Sequence, residues 1–190
     1  MSSHFYAMMS RMKNIQRWGL MRNTRPENLC EHTLEVAFIA HALAIIKNRR
    51  FGGNVDQNAV AVAAMFHDTS EIITGDMPTP IKYYNADIKN VYKEIEGIAQ
   101  NRLIGLLPED LRDDFVPAYN PDSETARLVK AADKISALIK CIEERNSGNT
   151  EFSSAEKSTL EAIKKMNMPE ADMFLDEFLS SYSLTLDELK

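Results

Sequence analysis

Two long stretches of this chain carry apolar residues at helical spacing, and they limit what it can fold into more than any other feature. In the first, Leu29, Val36, Ile39, Ala40, Leu43 and Ile46 share one side of a helix. In the second, "ARLVKAADKISALIKCI", the stripe is Leu128, Ala132, Ile135, Leu138 and Ile142. A third stretch running to about Thr74 is apolar almost all round, as a central buried helix is. Further helices are expected over 87–106, 123–146, 154–166 and 169–181, with a weakly amphipathic segment over 4–16. No period-2 run bounded by turns stands out, so no sizeable sheet is expected. At 190 residues, the expectation is a single all-α domain over 1–190, a compact helical bundle.

Breakers divide these helices. The first long helix is expected to start after Pro26 and to end at "RRFGGNVD", where paired glycines interrupt the pattern. Asn54 or Asp56 can cap the helix that follows, and Gly75 stops it. "DMPTPIKYYN" then reads as a proline-stiffened loop.

Composition narrows the function. No stretch approaches the ~20 consecutive apolar residues that span a bilayer, so no membrane partner is expected. Cys30 and Cys141 form no CxxC pair, which favours a reducing cytoplasmic setting. A net charge of −6 argues against a nucleic-acid polymer as partner. Residues 1–26 nevertheless carry five basic residues and no acid. Such a segment is either a transit peptide or a folded part whose arginines meet an anionic ligand.

"AAMFHDTSEIITGD" runs a helix built for burial straight into His67, Asp68, Glu71 and Asp76. Imidazole and carboxylate are good ligands for first-row divalent metals. Adjacent residues differ by about 100° around a helix, so His67 and Asp68 reach one point only from a suitable angle or from a helix end. His32 shares the inward face of Val36, Ile39 and Leu43 and can add a third ligand. Asp133 interrupts an apolar stripe where a buried charge needs a partner, which makes it the fourth candidate. Glu71, four residues after His67, lies on the same face of a continuous helix and can serve a water molecule. The blander readings are a hydrogen-bonded core histidine and a carboxylate ending a helix in solvent. His4 and His41 read as structural.

The set His32…His67-Asp68…Asp133 resembles that of the HD-domain metal-dependent phosphohydrolases, an all-α superfamily. The blocks "SHFYAMMSRMKNIQRWGLMRN", "EHTLEVAFIAHALAIIKNRRFGGNV", "HDTSEIITGDMPTPIKYYN" and "LPEDLRDDF" further resemble its bacterial 5′-deoxynucleotidase branch. The resemblance implies a cytoplasmic homodimer hydrolysing deoxyribonucleoside 5′-monophosphates by attack of a metal-activated water. It implies one divalent transition metal, cobalt or manganese, on His32, His67, Asp68 and Asp133. By the same pattern Arg17 orients the phosphate, Trp18 presses against the sugar where a ribose hydroxyl would sit, and Glu71 serves the water. Asp76, Met77, Pro78 and Thr79 hold the sugar side, with Asp76 bonding the deoxyribose or assisting the leaving oxygen, and His32, Asp68 and Asp133 also touch substrate. The resemblance begins near Ser3, which places the basic stretch inside the enzyme. Gly19 departs from the branch, whose close members carry proline after the tryptophan.

Rival readings within the superfamily are hydrolysis of alarmones, cyclic nucleotides or deoxynucleoside triphosphates. Ile72 stands where alarmone hydrolases carry an acid, and no histidine follows His67 to support a second metal. A helical module that only binds a partner is the remaining alternative. It gives no physical reason to keep four ligands together with Glu71 and Arg17.

Overall fold

The computed structural model describes residues 2–82 and 84–189, with the Thr79 side chain left aside. Asn28 opens the first of the two long apolar-striped helices, α2 (Leu29–Arg50), with a reciprocal cap: its side chain accepts from Cys30 and Glu31 amides, and the Glu31 carboxylate accepts from the Asn28 amide. The start therefore falls after Asn28 rather than directly after Pro26. Beyond Phe51, Gly52 takes φ +67°, a left-handed turn that releases the chain. Asp56 then caps α3 (Gln57–Phe66) through the Asn58 and Ala59 amides.

The sequence pattern predicts one helix from here to Thr74, and the structure differs. α3 ends at Phe66, residues 67–70 form tight turns, and a separate short helix α4 (Glu71–Thr74) follows. The amides of Thr69, Glu71 and Ile72 reach back only three residues, and the Thr69 hydroxyl bonds the Phe66 carbonyl at 2.9 Å. This local bonding replaces the helical ladder. Gly75 at φ +74° then turns the chain out.

The expected proline-stiffened loop contains one helical turn, α5 (Thr79–Lys82). α6 (Ala86–Ile104) is capped by Asn85. α7 (Arg112–Tyr119) was not expected, because Pro117 lies inside it. The proline falls in the last turn, and Asp113 and Asp114 suit the positive N-terminal end. Asp122 caps α8 (Ser123–Asn146), and α9 (Ser153–Lys164) and α10 (Pro169–Phe178) complete the order. At the chain start, α1 (Phe5–Met9) runs into a 3₁₀ segment, Ser10–Asn14. Among the described residues there is no strand; a lone antiparallel bridge joins Gln16 to Asn28.

α2 packs on α3, α8 and α10. All six predicted apolar positions of α2 and all five of α8 are buried. Their core joins Val60, Ala63 and Ala64 of α3 with Ile163, Phe174 and Leu175. A smaller cluster of Phe5, Leu103 and Leu107 holds α1 against α6, with Phe66 packed beside it. α2 has the length and apolar composition of a membrane-crossing helix, yet its apolar side is covered by these neighbours. Since side-chain burial drives this packing, the polar groups left in the α2–α8 seam need explanation.

Candidate metal centre and substrate site

His32 projects from α2 into that seam and is buried. Its Nδ1 lies 3.0 Å from Ser136 Oγ of α8, and that hydroxyl donates to Glu35 Oε2 at 2.6 Å. With the Ser136 proton committed to Glu35, its oxygen accepts from His32 Nδ1–H. His32 therefore offers Nε2 inward, and that atom has no hydrogen-bond partner. His67 reaches the same orientation by another route. Its Nδ1 lies 2.7 Å from the Ala64 carbonyl, which can only accept, and its Nε2 is again without a partner.

The break after Phe66 makes this possible. At a helix end, His67 and Asp68 turn toward one point, the second of the two options that the sequence left open. His67 Nε2 stands 3.1 Å from Asp68 Oδ2, while His32 Nε2 stands 3.5 Å from Asp68 Oδ2 and 3.2 Å from Asp133 Oδ1. One ligand atom from each of His32, His67, Asp68 and Asp133 falls within a 4.8 Å spread. Donors bonded at ~2.0–2.1 Å in a tetrahedral shell are separated by about 3.3 Å. Two buried, partnerless imidazole nitrogens facing two carboxylates thus fit a first-row divalent metal. His4 and His41 stand outside the cluster.

The charges at this centre shift one another's ionisation. Burial opposes charge on His67, but Asp68, Asp133 and the Ala64 carbonyl outweigh it and push the imidazole up to about 9. Burial likewise works against ionised Asp68, yet His67 and His32 hold its carboxyl well below the usual range. Asp133, whose side chain is partly exposed, is lowered chiefly by its contact with His32.

Arg17 enters from the basic N-terminal segment. Its Nη1 is 3.6 Å from Asp68 Oδ2 and its Nε donates to Glu27 Oε2 at 3.1 Å. Burial lowers its affinity for a proton, while Asp133, Asp68, Glu27 and Asp76 more than restore it. Trp18 follows at φ +58°, a conformation that costs a non-glycine residue on the order of 1 kcal/mol. Its indole Nε1 donates to the same Glu27 Oε2 at 3.0 Å, and its ring meets Phe152 edge-on, centroids 5.3 Å apart. A side chain at Gly19 would meet nothing within 4 Å.

Glu71 is buried, and its Oε2 has no hydrogen-bond partner. Burial, then the nearby Asp68 and Asp76 carboxylates, pushes its carboxyl up to about 9. The expected continuous helical face shared with His67 does not exist; Glu71 reaches the site from the first turn of α4. Asp76 follows Gly75, raised by burial and by Asp68 while Arg17 and His32 draw it down. Met77 and Pro78 are half-buried beside it, and the Pro78 carbonyl accepts from the Ile81 and Lys82 amides. The Thr79 side chain lies outside the described residues.

Three participants escaped the sequence reading: Glu27, Ser136 and Glu35. Glu35 sits three residues from His32 and Ser136 three from Asp133, so each shares a helical face with a ligand, a spacing that could have exposed them. Glu27 lies in a loop where no periodicity marks it.

The helical bundle and its buried His-Asp cluster define an HD-domain phosphohydrolase. The fold is that of an HD-domain phosphohydrolase from Listeria innocua, with a TM-score of 0.81 at 22% identity, covering 94% of this chain and 88% of that one. An HD phosphohydrolase of cyanophage S-2L, bound to dA and one catalytic Zn2+ ion, is similar at a TM-score of 0.67 and 21% identity, covering 94% and 96%. The chain belongs to the family described as 5′-deoxynucleotidase YfbR-like, which it matches over residues 4–182. It is 48% identical over 190 residues to a 5′-deoxynucleotidase of Vibrio parahaemolyticus, with 98% of each chain covered. It is 51% identical over 191 residues to one of Pectobacterium atrosepticum, covering 98% and 96%.

Proposed function

We propose that the chain is a metal-dependent 5′-deoxynucleotidase, a phosphoric monoester hydrolase converting deoxyribonucleoside 5′-monophosphates and water to deoxynucleosides and phosphate. The observation that carries this reading is the convergence of two partnerless Nε2 atoms and two carboxylates beside a buried arginine. Full-length relatives named 5′-deoxynucleotidase support the substrate class.

In this reading His32, His67, Asp68 and Asp133 hold one divalent cation, cobalt or manganese by family resemblance. The cation supplies Lewis acidity, neutralising phosphoryl oxygens and lowering the pKa of nearby water. Arg17 orients the phosphate with a planar, permanently charged fork. Glu71 orients the attacking water and takes its proton; positive charge at the centre returns its carboxyl toward the ionised form that this requires. As the water oxygen bonds to phosphorus, the P–O5′ bond breaks and the departing 5′ oxygen takes up a proton. Trp18 rejects the ribose 2′-hydroxyl sterically. Asp76, Met77, Pro78 and Thr79 line the sugar side, where Asp76 bonds the deoxyribose or protonates the leaving oxygen. His32, Asp68 and Asp133 contact the same phosphate. We also propose that the enzyme acts as one domain over residues 1–190, as a homodimer, in the cytoplasm.

Phosphate release from metal-stripped protein tests this, with dAMP, AMP, 3′-dAMP and dATP offered in parallel, with and without cobalt or manganese. Metal-dependent release from dAMP with AMP nearly inert is expected. Comparable release from AMP would remove the assigned role of Trp18, and release from dATP alone would overturn the substrate class.

A further inference from the structure

A cavity of about 360 Å³ lies against the metal centre and shares His67 and Asp133 with it. Arg17, Trp18, Glu71 and Asp76 do not line it. Lys89 and Lys93 of α6, Lys130 and Lys134 of α8 and Lys82 of α5 all line it. Five lysines therefore surround one concavity whose lining includes two carboxylates, Glu96 and Asp133, in a chain of net charge −6. Glu96 is already engaged: it accepts from Lys82 Nζ at 2.9 Å, and that ammonium stands 4.7 Å from the Tyr92 ring centroid. Among the described residues no ion pair holds Lys93, Lys130 or Lys134.

The concavity thus carries more positive than negative charge. Like charges four residues apart on a helix repel, and Lys130 and Lys134 of α8 form such a pair at the cavity. A second, independent observation lies in its lining. Tyr119 is buried there, and its hydroxyl has no well-formed hydrogen bond, Thr69 being the nearest claimant. A buried polar atom of this kind needs a partner.

The position of the cavity identifies the anion. α4, the helix that carries Glu71, packs on α6 of the cavity wall, and Thr74 Oγ1 lies 3.4 Å from the hydroxyl of Tyr92 in the cavity lining, so the lysine cluster adjoins the side from which Glu71 would deliver water. In-line attack moves phosphorus toward the incoming oxygen, away from the nucleoside. We propose that the lysine-lined cavity is a phosphate-binding site that receives the inorganic phosphate product, while the deoxynucleoside leaves past Trp18 and Asp76. The proposal rests on the phosphomonoesterase reading for its timing, but phosphate binding at the cavity requires no turnover.

The test uses full-length protein and inorganic phosphate as probe. Phosphate binding to the metal-free form is measured by calorimetry or ³¹P line broadening, for wild type and Lys93→Gln/Lys130→Gln. The same pair is compared, metal-loaded, for inhibition by phosphate and by deoxyadenosine. Metal-free wild type should bind phosphate, and the double variant should bind it about tenfold more weakly, as expected for lost charge-assisted contacts. Phosphate inhibition should weaken in step, with deoxyadenosine inhibition unchanged; Tyr119→Phe should show a smaller loss of the same kind. Equal phosphate affinity in both proteins would overturn the site and leave the lysines as a solvated rim. A rise in KM for dAMP matching the loss of phosphate affinity would also overturn it, placing the substrate's own phosphate in the cavity. Lysine-dependent phosphate binding without dAMP hydrolysis would support the site and sink the monoesterase reading instead.

Discussion

Two clusters of buried charge lie along α8, one near Asp133 and one at Lys140–Glu144, and they are built on opposite terms. The Glu144 carboxylate accepts from Lys140 Nζ, from the Thr24 and Arg25 amides at 2.8 and 3.2 Å, and from Asn149 Nδ2 at 2.8 Å. Lys140 donates onward to the Arg25 carbonyl. Although burial works against it, this full set of donors holds the Glu144 carboxyl well below its ordinary range. About two turns upstream the accounts are left open: both Nε2 atoms and Glu71 Oε2 lack partners. Burial alone does not separate a staple from a site. What separates them is whether the donors and acceptors match within the protein.

Four measurements break or sharpen that contrast. The largest effect belongs to the open cluster: Glu71→Ala should lower turnover by about 10²–10⁴-fold while metal stays bound, read by steady-state rates beside metal content. Surviving activity would remove Glu71 from the reaction. At the closed cluster, Lys140→Met leaves Glu144 buried without its cation and should cost about 3 kcal/mol in urea unfolding. The double change Lys140→Met/Glu144→Leu should cost clearly less than the two single changes summed. Third, Ser136→Ala removes the hydroxyl that fixes His32 and should weaken metal affinity about tenfold, read by chelator competition, and should lower the melting temperature by a few degrees because His32 Nδ1 and Glu35 lose their partner. The last is a pH effect at Glu71. A buried acid whose folded value is about 9, against an ordinary 4.5, costs native stability progressively as pH rises between those values. Metal-free Glu71→Gln should therefore outlast metal-free wild type in thermal melts near pH 9, and the gap should close near pH 4.5. An identical gap at both ends would mean that Glu71 is not held neutral.

The parts of the fold legible in sequence were those where local and tertiary signals agree. α2 and α8 combine capping residues with long apolar stripes, and their buried faces follow the expected spacing. α7 was hidden because a proline normally argues against a helix, and only its place in the last turn makes Pro117 tolerable. The break at His67 was hidden for the opposite reason: "HDTSEIIT" continues a helical pattern, and nothing local announces that its hydrogen bonds switch to shorter turns. The four metal-ligand candidates could be named because ionisable groups are conspicuous in apolar stripes. Glu27 could not, since a glutamate in a polar loop looks like solvated surface until the chain folds Arg17 and Trp18 onto it.

That shared carboxylate has a bearing on how such an enzyme can change over generations. A single oxygen of Glu27 steadies both the residue assigned to grip phosphate and the residue assigned to screen the sugar. A lineage that relaxes sugar selectivity by altering Glu27 would lose its hold on phosphate in the same step. Tolerance for ribonucleotides is open to selection, without that penalty, only through Trp18 itself or through the turn that follows it.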